Sequence, residues 1–341
     1  MSSAAWRTCC NRRQQAMAAH PREVLLGAQG GGVALPVCDH YCGVEARMRK
    51  SLALQAQTME QTGVCSFDVT LDCEDGAPVG REAEHVELVL DMLALAGPQA
   101  RVGVRVHPVD HPSFNHDVAR LVGQAGARLA YVMVPKVDSL ADLLRAADAV
   151  SQAGAPQLPL HALIESPLAV HHAFDIAAHP RLQSLSFGVM DFVSAHGGAI
   201  PASAMSVQGQ FTHPLVVRAK LAIASACHAH GKVPSHAVIP EFKDTQAFTQ
   251  AAKQARESFA CTRMWSIHPD QIPLILQAFA PSADEVEHAA EVMLAAAAAD
   301  WAPVQVRGVL QDRASYRYFW QVLERAQQTG VALPAAAAQF F

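Results

Sequence analysis

The chain has 341 residues, 51% of them hydrophobic and 17% charged, which is enough apolar side chain for a large buried core and excludes global disorder. Its net charge of −5 argues against the basic face that nucleic-acid binding needs, and no run of about 18 apolar residues is present to form a transmembrane helix. Eight Cys without a single C-x-x-C pair speak against a zinc ribbon or a thioredoxin-like motif and fit a reducing, cytoplasmic setting.

The first 22 residues carry Arg7, Arg12, Arg13 and Arg22 and no acidic residue, a composition that fits an organelle transit peptide or a disordered extension. With "GGG" at 30–32 as a lead-in, residues 1–30 read as a flexible segment. From about residue 33, strand-like runs alternate with amphipathic stretches. The strand candidates are "VALPVCD" (33–39), "SFDVTLDCED" (66–75), "RVGVRVHP" (101–108), "AYVMVPKV" (130–137), "LHALIES" (160–166), "SLSFGVMD" (184–191), "VPSHAVIP" (233–240) and "CTRMWSIHP" (261–269). Most are short apolar runs bounded by turn residues, as expected of parallel strands buried on both faces. Between them, 44–57 places Val44, Met48, Leu52 and Leu54 broadly on one side, 81–97 opens on acidic residues and closes on Gly97, and 137–150 offers Asp138 and Ser139 as N-caps.

Eight such units predict an α/β fold, a (β/α)8 TIM barrel over 31–281, with the extra segment 192–211 as one long loop over its mouth. A doubly wound sheet is the rival, but no G-x-G-x-x-G follows the first strand. Residues 282–341 read as a C-terminal helical extension or lid, with helices over 284–299 and 312–328.

In such a barrel, functional groups gather at the carboxyl ends of the strands. Here those ends carry Asp72, Glu74, Asp75, Arg105, His107, Lys136, Glu165, Asp191, His236 and His268, more chargeable groups than packing explains. Glu165 and Asp191 end consecutive strands, and parallel neighbours lie about 4.8 Å apart, so the two carboxylates can share one hard divalent cation. Alternatively, each caps its following helix. A buried Arg105 needs an anion. That anion is a substrate carboxylate or enolate oxygen, or else Asp72 or Glu74. Lys136 could form a Schiff base or an ion pair at the rim. His236 and His268 are either acid–base groups or structural, and Cys73 reads as core.

Taken together, "DVTLDCEDGAP", "VRVHP", "VMVPKVDS", "ALIESPLAV", "LSFGVMDF" and "WSIHPDQI" resemble the CitE-like branch of the HpcH/HpaI aldolase/citrate lyase family, in order and spacing, from about "LPVCD" to "DRASYRYF". His107 stands where that family usually carries Asn, and "CEDGAP" where it carries "LEDAV". The resemblance implies a homotrimer or homohexamer that cleaves a 3-hydroxyacyl-CoA ester, such as malyl-, citramalyl- or citryl-CoA, into an acyl-CoA and an oxo acid. It implies Glu165 and Asp191 as ligands of Mg²⁺, or Mn²⁺ in its place, and Arg105 facing the thioester or enolate oxygen. Glu74 and Asp75 would stand beside the metal waters and Arg105. Lys136, Gly188 and Asp191 join Arg105 as expected substrate contacts. Asp312, in "VLQDRAS", would reach a neighbouring subunit as an acid–base group. The alternatives are a metal-dependent aldolase on a free hydroxy acid and a non-catalytic metabolite-binding barrel.

Overall fold

The computed structural model describes residues 20–27, 34–241 and 243–341; the Arg-rich start up to residue 19 and the "GGG" at 30–32 lie outside the described residues. The chain divides into two compact units, one spanning Gly32–Ala280 with Gln328–Gly330, the other built mainly from Pro281–Gln327 and Val331–Phe341.

The larger unit is a closed, all-parallel barrel in sequential order. Its strands are β1 (Cys38–Cys42), β2 (Phe67–Asp72), β3 (Val102–Arg105), β4 (Tyr131–Val134), β5 (Leu160–Ile164), β6 (Leu182–Phe187), β7 (Val233–His236) and β8 (Arg263–Ser266). Side chains alternate across a strand, so each one buries two faces. Val69, Leu71, Val104, Val132, Ala162 and Ile164 share one core with helix residues such as Met48, Val89 and Leu143. The other face lines the barrel interior, where Tyr41, Tyr131, Met133, Leu163 and Trp265 form a separate cluster.

Beneath that cluster the interior is ionic. Arg263, fully buried, meets Asp68 at 2.7 Å and Asp39 at 3.0 Å. Asp39 Oδ1 also accepts from Thr70 Oγ1 (2.7 Å) and Tyr131 Oη (3.0 Å), and Arg101 Nε donates to Asp68 Oδ1 (2.7 Å). Gly103 makes room for the Tyr131 ring: a Cβ there would lie 2.2 Å from it. This layer explains a correction. The first strand is not 33–39 but Cys38–Cys42, a polar and aromatic stretch in place of the expected apolar run. Its inward Asp39 is compensated by Arg263 of β8, the neighbouring strand in the closed barrel though remote in the chain.

The other strands stop earlier than their apolar runs suggested. The sixth ends at Phe187, and Val189–Ser194 is already a helix, so Asp191 sits in a first helical turn and not at a strand end. The long connection that follows holds a short 3₁₀ turn, Ala202–Met205, and one helical turn, Gly209–Thr212. The expected N-cap Ser139 is present as a capping box with Asp142 ahead of the helix Leu140–Gln152.

In the smaller unit, the helices Ala283–Ala298 and Arg313–Gln328 pack through Met293, Tyr316, Trp320 and Leu323. Residues 20–27 fall within the segment expected to be flexible, yet they form the helix Pro21–Leu26. Leu25 is buried in this core, and Arg317 Nε donates to the Leu25 carbonyl (2.8 Å). The link between the two long helices is a hairpin of β9 (Val304–Val306) and β10 (Val309–Gln311). Its two-residue turn needs positive φ at both positions, met by Arg307 (49°) and Gly308 (79°). Among the described residues, no helix is long and apolar enough to cross a membrane.

Candidate active site

A cavity of about 270 Å³ opens at the carboxyl ends of the barrel strands, with Tyr41, Asp72, Asp75, Arg105, Glu165 and Asp191 among its walls. Asp72 and Arg105 are register partners on β2 and β3. The Arg105 fork donates to Asp72 with two parallel bonds, Nε to Oδ1 at 2.7 Å and Nη2 to Oδ2 at 2.5 Å. Its remaining nitrogen, Nη1, lies 2.9 Å from Glu74 and 3.9 Å from Asp75. The guanidinium carbon lies 5.4 Å from the Tyr41 ring centroid and 5.7 Å from that of Trp265, so two aromatic faces fix its plane. Asp72 also accepts from the backbone N–H of Glu74 (2.9 Å) and of Gly76 (2.8 Å), tying the loop that bears Glu74 and Asp75 to the same carboxylate. Burial alone would raise the Asp72 pKa, but Arg105 and those two amides hold it below the usual carboxylate value.

Glu74, its side chain buried, accepts from Lys136 Nζ at 2.5 Å. Burial works against the Glu74 carboxylate, yet Arg105 and Lys136 keep its pKa low. Burial likewise works against the Lys136 ammonium, but Glu74 raises its pKa above the usual value. An amine held protonated in this way is a poor nucleophile, so the Schiff-base reading of Lys136 gives way to the rim ion pair. Asp75 has the opposite bias: burial and the Glu74 charge push its pKa up to about 6.

Glu165 follows β5 and is 4% exposed. Its Oε1 accepts from the backbone N–H of Lys136 (2.8 Å), whose φ of 51° is unusual for a residue with a side chain. Gly188 lies against Oε2, and a Cβ there would come within 2.6 Å of it, so only glycine permits this approach. Among the described residues, no Lys or Arg side chain pairs with Glu165. Burial and the nearby Asp191 push its pKa up to about 8. Asp191 is half-buried on the same cavity.

Five carboxylates (Asp72, Glu74, Asp75, Glu165 and Asp191) therefore meet three cationic side chains, Arg47, Arg105 and Lys136. Glu165 and Asp191 suit a hard dication in donor type, and the surplus negative charge suits it in sign. Among the described residues, no cluster of three or more His, Cys, Asp or Glu is arranged to hold a metal. A site with two protein carboxylates and positions left for water and substrate oxygens is the pattern Mg²⁺ accepts.

Other expected residues have structural partners. His107 donates from its backbone N–H (3.0 Å) and Nδ1 (2.6 Å) to Asp117, which is fully buried in the helix Phe114–Ala125. His236 is buried and stacks on Phe211, 5.2 Å between centroids, and Cys73 is core. Asp312 belongs to the smaller unit, where its Oδ1 accepts from Ala314 N (2.9 Å) and Ser315 N (3.3 Å) at the start of the helix Arg313–Gln328. Sequence reasoning missed Tyr41 and Trp265 as the flanks of Arg105. The only available signal was their place at inward positions of strands that pair with each other, Asp39 lying opposite Trp265.

The profile of the HpcH/HpaI aldolase/citrate lyase family matches residues 51–269. The L-malyl-CoA/beta-methylmalyl-CoA lyase of Cereibacter sphaeroides is 31% identical over 247 residues, 68% of this chain and 77% of that one. The crystal structure of a citrate lyase from Burkholderia xenovorans LB400, 48% identical, matches with a TM-score of 0.78 over 95% of this chain and 99% of that one. The CitE protein of Mycobacterium tuberculosis, solved with magnesium, acetoacetate and coenzyme A, shares the fold at 22% identity, with a TM-score of 0.64 over 86% of this chain and 98% of that one. A profile match over most of the barrel, carried by a closed parallel (β/α)8 architecture, makes the chain a lyase-class enzyme that belongs to the HpcH/HpaI aldolase/citrate lyase family.

Proposed function

We propose that this chain is a Mg²⁺-dependent carbon–carbon lyase that cleaves a 3-hydroxyacyl-CoA ester of the malyl-, citramalyl- or citryl-CoA type into an acyl-CoA and an oxo acid. One observation carries the reading: Glu165, buried, beside Asp191 and without a cationic side chain, in a mouth that already has surplus negative charge. Removing a carboxylate from water costs several kcal/mol unless charge compensates it. Glu165 and Asp191 would hold Mg²⁺, or Mn²⁺ in its place. When bound, the ion supplies fixed positive charge against the oxygens of a 2-hydroxy-acid unit.

The chain's own residues do the rest. Asp75, with a pKa of about 6, takes the substrate hydroxyl proton. As the oxo group forms, the electron pair of the breaking carbon–carbon bond passes to the acyl fragment as an enolate. Arg105, its plane set by Asp72, Tyr41 and Trp265, turns its Nη1 edge to the enolate oxygen, where charge develops. Glu74 holds that edge until substrate arrives, and Lys136 holds Glu74. Asp312 of an adjacent copy, carried on the 282–341 extension, returns a proton to the enolate carbon, in an assembly of three or six copies in the cytoplasm. The activity named for the Cereibacter protein supports the thioester substrate.

The test is a cleavage screen with oxo-acid detection on CoA esters and on the corresponding free hydroxy acids. One CoA ester should release oxo acid, lose the reaction in EDTA and regain it with Mg²⁺. Glu165→Ala should abolish this turnover and still melt cooperatively. Full activity of Glu165→Ala in chelator would overturn the metal assignment, and cleavage confined to free acids would make the enzyme an aldolase of another substrate class.

A further inference from the structure

A buried amine that the proposed chemistry leaves unused lies behind the cavity wall. Lys220, on the helix Pro214–Ala229, is 3% exposed, and among the described residues no carboxylate pairs with it. Its Nζ lies between two aromatic faces, 3.6 Å from the Phe211 centroid and 4.0 Å from that of Phe259. It donates one hydrogen bond, to the backbone carbonyl of Gln210, at 2.7 Å. Gln210, itself fully buried, donates from Nε2 to the carbonyls of Met205 and Val238, both at 3.0 Å. Met205 belongs to the long connection after β6, the one that also carries Asp191 in its first helical turn. Val238 belongs to the connection after β7 and lines the cavity.

Two further contacts join the same segments. Phe211 stacks on His236 at the end of β7, and Val207 N–H donates to Glu241 (3.3 Å). Gly209 packs so closely that a Cβ would lie 1.9 Å from the Ser203 carbonyl. An apolar side chain of similar length would fill the Lys220 space without desolvating a charge. Burial instead pushes this amine's pKa down to about 7, a penalty that packing does not explain.

We propose that Lys220 is a positioning residue: through Gln210 it fastens the connection that carries Asp191 to the connection that supplies Val238, and so holds one wall of the cavity in place. The link between the two connections stands on geometry alone; its effect on turnover rests on the lyase reading.

The experiment pairs hydrogen exchange on the intact, ligand-free protein with steady-state kinetics on the CoA ester found in the screen above. Lys220→Met fills the space without charge or donor, and Gln210→Leu removes the two amide bonds while leaving Lys220. In both variants, backbone exchange over 205–213 and 237–241 should accelerate about tenfold or more, with the strands β1–β5 unchanged. The kcat/KM should fall about tenfold, chiefly through KM, because Arg105 and its partners stay in place. Lys220→Arg, which keeps a cation and N–H donors, should recover part of both effects.

Exchange in Lys220→Met that matches the parent over both segments, or that rises uniformly over the barrel, overturns the proposal. Failure of both replacements to fold overturns it as well, since the contact would then serve folding. Local acceleration without any change in kcat/KM overturns the positioning role, since the cavity wall would then not depend on the fastening, while cleavage of the ester by the parent protein leaves the lyase reading standing.

Discussion

The barrel holds two arginine–carboxylate clusters, one below the other, and they differ in charge balance. In the lower one, Arg263 and Arg101 face Asp39 and Asp68, two against two, with Thr70 and Tyr131 taking the spare lone pairs of Asp39. In the upper one, Arg47, Arg105 and Lys136 face five carboxylates, and among the described residues Glu165 is paired with a backbone N–H and no cationic side chain. In the lower cluster Arg263, Asp39 and Asp68 are buried, Arg101 alone reaches solvent, and the charges balance, so it serves to hold strands together. The upper cluster is open and carries surplus negative charge, so it can take a cation and a substrate. An arginine in a barrel interior is therefore not by itself a sign of function. The imbalance around it is.

The comparison breaks most sharply at Arg263. Arg263→Met leaves Asp39 and Asp68 buried with too little compensation and should cost about 3–5 kcal/mol of folding stability, read as a drop in the urea midpoint. Arg105→Lys should do the reverse. It keeps the charge but loses the two parallel bonds to Asp72, so turnover should fall about 10³-fold while the melting temperature moves far less than in Arg263→Met. Equal loss of stability in the two variants would erase the distinction between the clusters.

A smaller effect sharpens it. A base works only when deprotonated, and burial and Glu74 raise the Asp75 pKa to about 6. The kcat/KM of the parent should therefore climb as pH rises toward 6 and level off above it. Asp75→Asn should lose about 10²-fold and, with it, the acidic limb of the profile. An unchanged limb in Asp75→Asn would assign the base to another group.

Much of this was legible in the chain. The alternation of short apolar runs with amphipathic stretches identified eight repeats, and part of the list of chargeable strand-end residues (Asp72, Asp75, Arg105, Glu165 and Asp191, but not His107 or His236) lines the mouth. The helices of the C-terminal extension were legible too, over 284–299 and over 312–328 with its aromatic residues. Local chemistry sufficed for these, because caps, periodicity and turn residues act within a few positions of themselves. The first strand was not legible. Cys38–Cys42 reads as polar until Asp39 is seen against Arg263, more than 200 residues away. The hairpin at 304–311 has Arg-Gly at its turn where Asn-Gly would have signalled it.

What the sequence determined by itself is the barrel, the family and the list of groups available at its mouth, because hydrophobic periodicity and strand-end position are properties of short segments. What only the tertiary structure decided is who pairs with whom: Asp72 with Arg105, Lys136 with Glu74, and Glu165 with a backbone N–H and the bare Cα of Gly188. Charge compensation in a low-dielectric interior depends on distances between strands that are remote in the chain, and no window of sequence contains those distances.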